Sequence, residues 1–115
     1  MAEKATHWLG SSLEDLKDEK KFSYEARREA GFQLRQVQQG FDPDDWKPFD
    51  DVGAGTKEIR ITLDDGWFRV MYVAKFPEAV YVLHCFRKKS NATSQHDKDI
   101  ATNRYRNLIK ERNKK

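Results

Sequence analysis

Five basic side chains are spaced so that they can share one surface. Arg60 and Arg69 flank the Asp64-Asp65-Gly66 turn, and Arg87, Lys88 and Lys89 close an apolar run. Guanidinium and ammonium groups brought together on adjacent strands can hold a phosphate and stabilise charge that develops on it. The same residues also suit a solvated sheet face whose charges serve solubility, and the residues alone leave both readings open. His84 is the one histidine well inside an expected element and can transfer a proton near neutrality. A core histidine with a satisfied hydrogen bond is the commoner use of such a position. His7 and His96 stand far apart in the chain and no H-E-x-x-H spacing exists, so neither a metal site nor a cofactor is expected.

Other residues of chemical interest have plainer explanations. Gly53-Ala54-Gly55-Thr56 lacks the third glycine, the preceding strand and the following helix of a phosphate-binding loop, and reads as a flexible connection. Cys85 suits a small apolar residue of a buried strand better than a nucleophile. Tyr105 falls on the apolar stripe of the last helix, where core packing is its default role. Thr93 and Ser94 are both candidates to cap that helix.

The elements that must position these groups follow from hydrophobic period. Thr6 to Leu9 suits an edge strand, and Ser11-Ser12-Leu13-Glu14 has the spacing of a capping box, predicting a short helix from Ser12 to about Lys20. Ala26, Ala30, Leu34 and Val37 recur at helical spacing behind the N-cap candidate Ser23 and end at Gly40. Phe41 to Gly55, broken by Pro43 and Pro48, reads as a long connection pinned by Trp46 and Phe49. The period then becomes two, with Ile59, Ile61 and Leu63 on one side of a strand and Glu58, Arg60 and Thr62 on the other. A second strand spans Trp67 to Phe76, and a third, Ala79 to Arg87, is apolar on both faces and is therefore expected to be central in the sheet or covered on both sides. A polar stretch from Lys88 to Gln95 leads to a helix ending near Arg112, with Ile100, Ala101, Tyr105, Leu108 and Ile109 along one stripe. This order predicts an α+β fold, with an antiparallel sheet carrying helices mainly on one face. The pleat then sends Arg60 and Arg69 out of the opposite, free face.

Composition agrees with one such unit. The 115 residues, 37% hydrophobic with three Trp, seven Phe and four Tyr, suffice for one small core and so for a single domain over residues 1–115. No apolar run approaches the roughly 20 residues of a membrane span, and the first residues lack the apolar core of a secretory signal, so a cytosolic protein with no membrane partner is expected. The single Cys85 excludes an internal disulfide. The net charge of +3 is divided unevenly: from His84 onward ten basic residues face three acidic ones, a local +7, which leaves −4 for the rest. A basic third on an acidic body fits a protein that presents one face to phosphates.

With these residues in view, the segment EIRITLDDGWFRVMYVAKFPEAVYVLHCFRKKSNATSQHDKDIATNRY resembles the phage-derived branch of the RelE/HigB-like toxins of type II toxin–antitoxin systems. The similarity runs from about Trp8 to Arg106 and is most specific at Glu58 to Ile61, Trp67 to Tyr72 and Leu83 to Lys89. The resemblance implies a RelE-like α+β fold and a metal-independent endoribonuclease that cuts mRNA in the decoding site of the ribosome, blocking translation and growth. In such toxins the ribose 2′-OH attacks the adjacent phosphate while basic side chains orient the RNA and stabilise the phosphorane. Carried over by motif, Arg60, Arg69 and Lys89 are the implied catalytic residues. Arg87, Lys88 and Thr93 are the implied RNA-binding ones, with Ser94 standing where the family often has proline. Tyr105 is a counterpart of a C-terminal tyrosine used by some relatives, and the general base is not assigned. The implied partners are the ribosome, mRNA and a small helix-turn-helix antitoxin encoded alongside. A non-catalytic nucleic-acid- or partner-binding domain on the same fold is the alternative.

Overall fold

The computed structural model describes residues 3–90 and 92–114, so Asn91, inside the expected polar stretch, lies outside the described residues, as do Met1, Ala2 and Lys115. Three helices and five strands follow in the order β1 (Ala5–Trp8), α1 (Ser12–Lys17), α2 (Tyr24–Gln38), β2 (Trp46–Pro48), β3 (Thr56–Leu63), β4 (Gly66–Val73), β5 (Ala79–Lys88) and α3 (Gln95–Asn113). They build one open sheet in the spatial order β1-β5-β4-β3-β2.

The α+β class is as expected, and the strand order explains where the details depart. β2, β3, β4 and β5 pair antiparallel, but β1 runs parallel to the first half of β5, with Trp8 opposite Val82, so the sheet is mixed rather than antiparallel. Parallel pairing is possible because two helices lie between β1 and the rest of the sheet, giving the long crossover that such pairing requires. β2 was expected as part of a loop: three residues with Lys47 and Pro48 carry no period, yet Trp46 pairs with Ile59 and Lys47 with Glu58 at the edge, where proline is tolerated.

Both faces of the sheet are packed. Leu16, Phe22, Ala26, Ala30, Leu34 and Val37 from α1 and α2 meet Ile59, Ile61, Phe68, Val70, Val80 and Val82. On the other side Ala101, Tyr105 and Leu108 of α3 meet Met71, Val73, Tyr81, Leu83 and Phe86, with Phe49 and Val52 of the β2–β3 connection. The face expected to be free is therefore half covered, and α3 does the covering. Burial on both sides is what made β5 apolar throughout.

Local signals hold to different degrees. Ser23 caps α2, accepting from the Ala26 amide at 3.2 Å, and Ser94 caps α3, accepting from the Asp97 amide at 3.1 Å. Ser11 makes no such cap: its hydroxyl donates instead to Asp15 Oδ2 at 2.9 Å and accepts from Arg104, so the capping box is absent, and at the other end α1 stops at Lys17 because Asp18 turns to extended backbone. Gly53 is the glycine that the packing most requires, because a Cβ there would lie 2.4 Å from the ring carbons of Tyr105. That contact lets the Tyr105 hydroxyl donate to the Ala54 carbonyl at 2.8 Å. Among the described residues no helix is long and apolar enough to cross a membrane.

Candidate functional site

The strand register sets the site. On the α3 side of the sheet, Lys47, Glu58, Met71 and His84 form one row across four strands, and Arg60, Arg69 and Phe86 form the next. The first turn of α3 reaches the end of the first row, where Asp97 Oδ1 lies 2.8 Å from His84 Nε2. Beyond it the helix leaves Arg60 to solvent, and here the polar residues gather.

Glu58 is at the centre. Only 1% of it is exposed, and its two carboxylate oxygens are engaged differently. Oε2 accepts from the Thr93 hydroxyl at 2.9 Å, while Oε1 lies 3.6 Å from Arg69 Nε, an ion pair longer than a hydrogen bond. Arg69 is 3% exposed and donates through Nη1 to the carbonyls of Phe68 at 2.9 Å and Ile61 at 3.4 Å, whereas its Nε has no hydrogen-bond partner. Arg60 stands directly opposite Arg69 and is exposed. Like charges opposed across strands repel, and Glu58, one row away on the same face, offsets that repulsion.

Electrostatics follow from burial. Desolvation pushes the Glu58 carboxyl above the usual carboxylate range, against the hydrogen bond from Thr93 and the nearby charges of Lys88, Arg69 and Arg60, which pull it down. Desolvation also lowers the Arg69 guanidinium, opposed by Glu58. Lys88 is 8% exposed; burial lowers its ammonium, Glu58 opposes, and Arg69, Arg60 and Lys47 lower it further. Three cations, Arg60, Arg69 and Lys88, thus act on one carboxylate, with Lys47 adding positive charge beside Lys88, a net positive cleft with a buried floor.

The six residues singled out in the sequence divide. Arg60, Arg69, Lys88 and Thr93 come together. Arg87 does not: its guanidinium donates to the Asp65 carbonyl and stacks 5.6 Å from the Phe68 ring, on the α2 side of the sheet. Lys89 is exposed just past the end of β5. The cause is a bulge: Met71 pairs with His84 but Tyr72 with Val82, so Leu83 is an extra residue and every later side chain of β5 changes face. Strict alternation would have put Arg87 and Lys89 over the site; the bulge puts Lys88 there. Glu58 and Lys47 were not singled out, although Glu58 shares a strand face with Arg60 by simple alternation.

The neighbouring surfaces are also defined. A groove of about 850 Å3 runs along the half of β5 that β1 leaves unpaired, lined by Lys20, Lys21, Arg87, Lys88, Lys89 and Arg104 together with Asp15 and Asp97, and it meets the basic cleft at Lys88. A larger groove of about 960 Å3, between β1 and α3, is lined by His7, Leu9, Tyr81 and Leu108 and lies at the far end of α3. His84 is a core residue stacked on Phe86, with ring centroids 4.7 Å apart, and its Nδ1 is buried without a partner. Cys85 is buried, and burial pushes its thiol far above the usual range, opposite to the shift a nucleophilic thiolate needs. Tyr105, 8% exposed, points into the core rather than the cleft. Among the described residues no group of three or more His, Cys, Asp or Glu side chains gathers to hold a metal ion.

Fold and site together define a small α+β domain with a buried carboxylate inside a basic cleft at one end of its sheet. The chain belongs to the phage-derived protein Gp49-like family (DUF891), which it matches over residues 17–106, from the end of α1 to the middle of α3. No curated protein and no solved structure matches it.

Proposed function

We propose that this chain is the toxin of a type II toxin–antitoxin pair of the RelE/HigB-like kind, an endoribonuclease that cuts mRNA on the ribosome. The observation that carries this reading is the convergence of Arg60, Arg69 and Lys88 around buried Glu58, at the open end of the sheet. An RNA phosphate carries one negative charge and gains another share as the 2′-OH adds to it. Cations fixed in a dry cleft stabilise that second share without reorganising. In the reaction the 2′-oxygen bonds to phosphorus and gives up its proton to a base, and the bond to the 5′-oxygen breaks as that oxygen takes up a proton, yielding a 2′,3′-cyclic phosphate and a 5′-hydroxyl.

The roles divide by exposure. Arg60, reachable from solvent, meets the phosphate, while Arg69 works from beneath as a fixed charge. Lys88, whose ammonium gives up its proton more readily than an ordinary lysine, is suited to proton transfer with the 2′-OH or the leaving oxygen. Lys89 and Thr93 border the cleft, and the groove along β5 adds phosphate contacts. Arg87, which lines that groove, serves RNA contacts outside the cleft. A helix-turn-helix antitoxin encoded alongside would silence the toxin by covering this basic end.

Induced expression in a bacterial host, with and without the adjacent gene, tests the reading. Growth arrest relieved by the neighbour, with mRNA 5′ ends mapping in codon phase, is the expected result. Arg60→Ala should abolish arrest while the chain stays folded. Unchanged growth with intact transcripts would favour a binding domain without cleavage, and arrest retained in both Arg60→Ala and Arg69→Ala would overturn the site.

A further inference from the structure

Glu58 is the least expected member of the cleft, since a carboxylate beside a bound phosphate repels it. Its position resolves the conflict. It is covered, with 1% exposure, and both oxygens face protein: Oε2 accepts from Thr93 on the connection between β5 and α3, and Oε1 faces Arg69 on β4. The Thr93 bond spans 35 residues of chain and leads directly into Ser94, the cap of α3, whose hydroxyl donates to Asp97 Oδ2 at 2.7 Å. Asp97 in turn meets His84 on β5. A continuous set of polar contacts therefore links β3, the start of α3 and β5 around the cleft.

From this geometry we infer that Glu58 is a positioning residue: it latches Thr93 and so fixes the β5–α3 connection beside the cleft, while it orients Arg69 beneath the phosphate. This rests on the ribonuclease reading for its consequence, but the latch itself is a property of the fold. Glu58 does not touch RNA, because only 1% of it is exposed and its carboxylate faces Thr93 and Arg69. The chemistry it serves is that of Arg60 and Lys88, which need a fixed wall and a fixed charge to hold a phosphate in line for attack; a displacement near 1 Å can cost about a hundredfold in rate.

Two measurements on the full-length chain test it, with Glu58→Gln, Thr93→Val and Thr93→Ser. Amide hydrogen exchange at Asp97 and Lys98, whose amides donate to the Ser94 hydroxyl and carbonyl at 3.1 Å, reads the latch. Faster exchange in Thr93→Val, with wild-type protection in Thr93→Ser and in Glu58→Gln, whose amide oxygen still accepts from Thr93, is expected; unchanged protection in Thr93→Val overturns the inference. Single-turnover cleavage of ribosome-bound mRNA reads the consequence. A rate lowered about tenfold to a hundredfold in Thr93→Val, with half-saturating ribosome concentration unchanged and rate restored in Thr93→Ser, is expected. Full rate in Thr93→Val despite faster exchange removes the positioning role, and full rate in Glu58→Gln removes the orienting of Arg69. If the wild type itself cuts no ribosome-bound mRNA, the ribonuclease reading falls and the exchange data alone decide the latch. Thermal melts of each variant separate these effects from loss of fold.

Discussion

Replacing Tyr105 by Phe removes one oxygen and separates two roles for this side chain. In the structure the hydroxyl donates to the Ala54 carbonyl at 2.8 Å, and the ring lies flat over Gly53 in the α3 core. Ala54 is exposed, so its carbonyl regains water when the donor is lost and only the net value of the bond disappears, about 1 kcal/mol. For a domain of this size that lowers the melting temperature by about 4 °C. Gly53→Ala attacks the same contact from the other side. Its Cβ would fall 2.4 Å from the Tyr105 ring, which is itself buried and held by its hydroxyl's bond to Ala54, so overpacking costs about 1–3 kcal/mol. Because either change spoils the other's contact, the double variant should lose less than the sum of the two. Thermal unfolding gives all four stabilities, and growth arrest on induced expression gives the activity. Tyr105→Phe should melt lower and still arrest growth. A full melting temperature with lost arrest would make the hydroxyl a reacting group and refute its placement in the core.

Glu58 sets a pH dependence whose sign follows from burial. Its carboxyl keeps its proton to higher pH in the folded chain than in the unfolded one, so its contribution is most favourable below the ordinary value of 4.5 and is lost as pH rises through the raised one. The urea midpoint of the wild type, taken relative to Glu58→Gln, should therefore fall as pH increases above 4.5; a difference that is constant or rises with pH contradicts this. Asp97 behaves oppositely: burial raises its carboxyl, but hydrogen bonds with His84 and Ser94 outweigh this and hold it below 3.8, so Asp97→Asn should cost about 1 kcal/mol at neutral pH, an advantage that fades in acid. Arg60→Ala should weaken ribosome binding and reduce the slope of log affinity against log salt by about one, as expected for one lost phosphate contact; an unchanged slope removes Arg60 from the interface. Phe22, fully buried against Phe68 at 5.2 Å between ring centroids, should cost about 3–5 kcal/mol on truncation to Ala, measured by urea unfolding.

The parts of the fold governed by local pattern were legible in the sequence. Ile59, Ile61, Phe68 and Val70 alternate, the Asp64-Asp65-Gly66 turn joins them, and Arg60 and Arg69 come out opposite each other on the face that alternation assigns. Features fixed by tertiary context were not. A four-residue β1 gives no sign of its direction, and β5, apolar on both faces, cannot say which face α3 will cover. The bulge at Leu83 exchanges Lys89 for Lys88 in the cleft, and nothing in LHCFRKK marks it. Glu58 could have been read from its place two residues before Arg60, but an alternating Glu on a strand suits a solvated surface equally well. Its 1% exposure, which gives it meaning, is visible only once the β5–α3 connection folds over it.

The most direct test uses purified protein, ribosomes and one defined mRNA, with the new 5′ ends mapped during translation. Cuts in codon phase that leave 2′,3′-cyclic phosphate ends and vanish in Arg60→Ala are the expected result. Intact mRNA under conditions where the protein binds the ribosome would contradict it and leave the cleft as a binding surface alone.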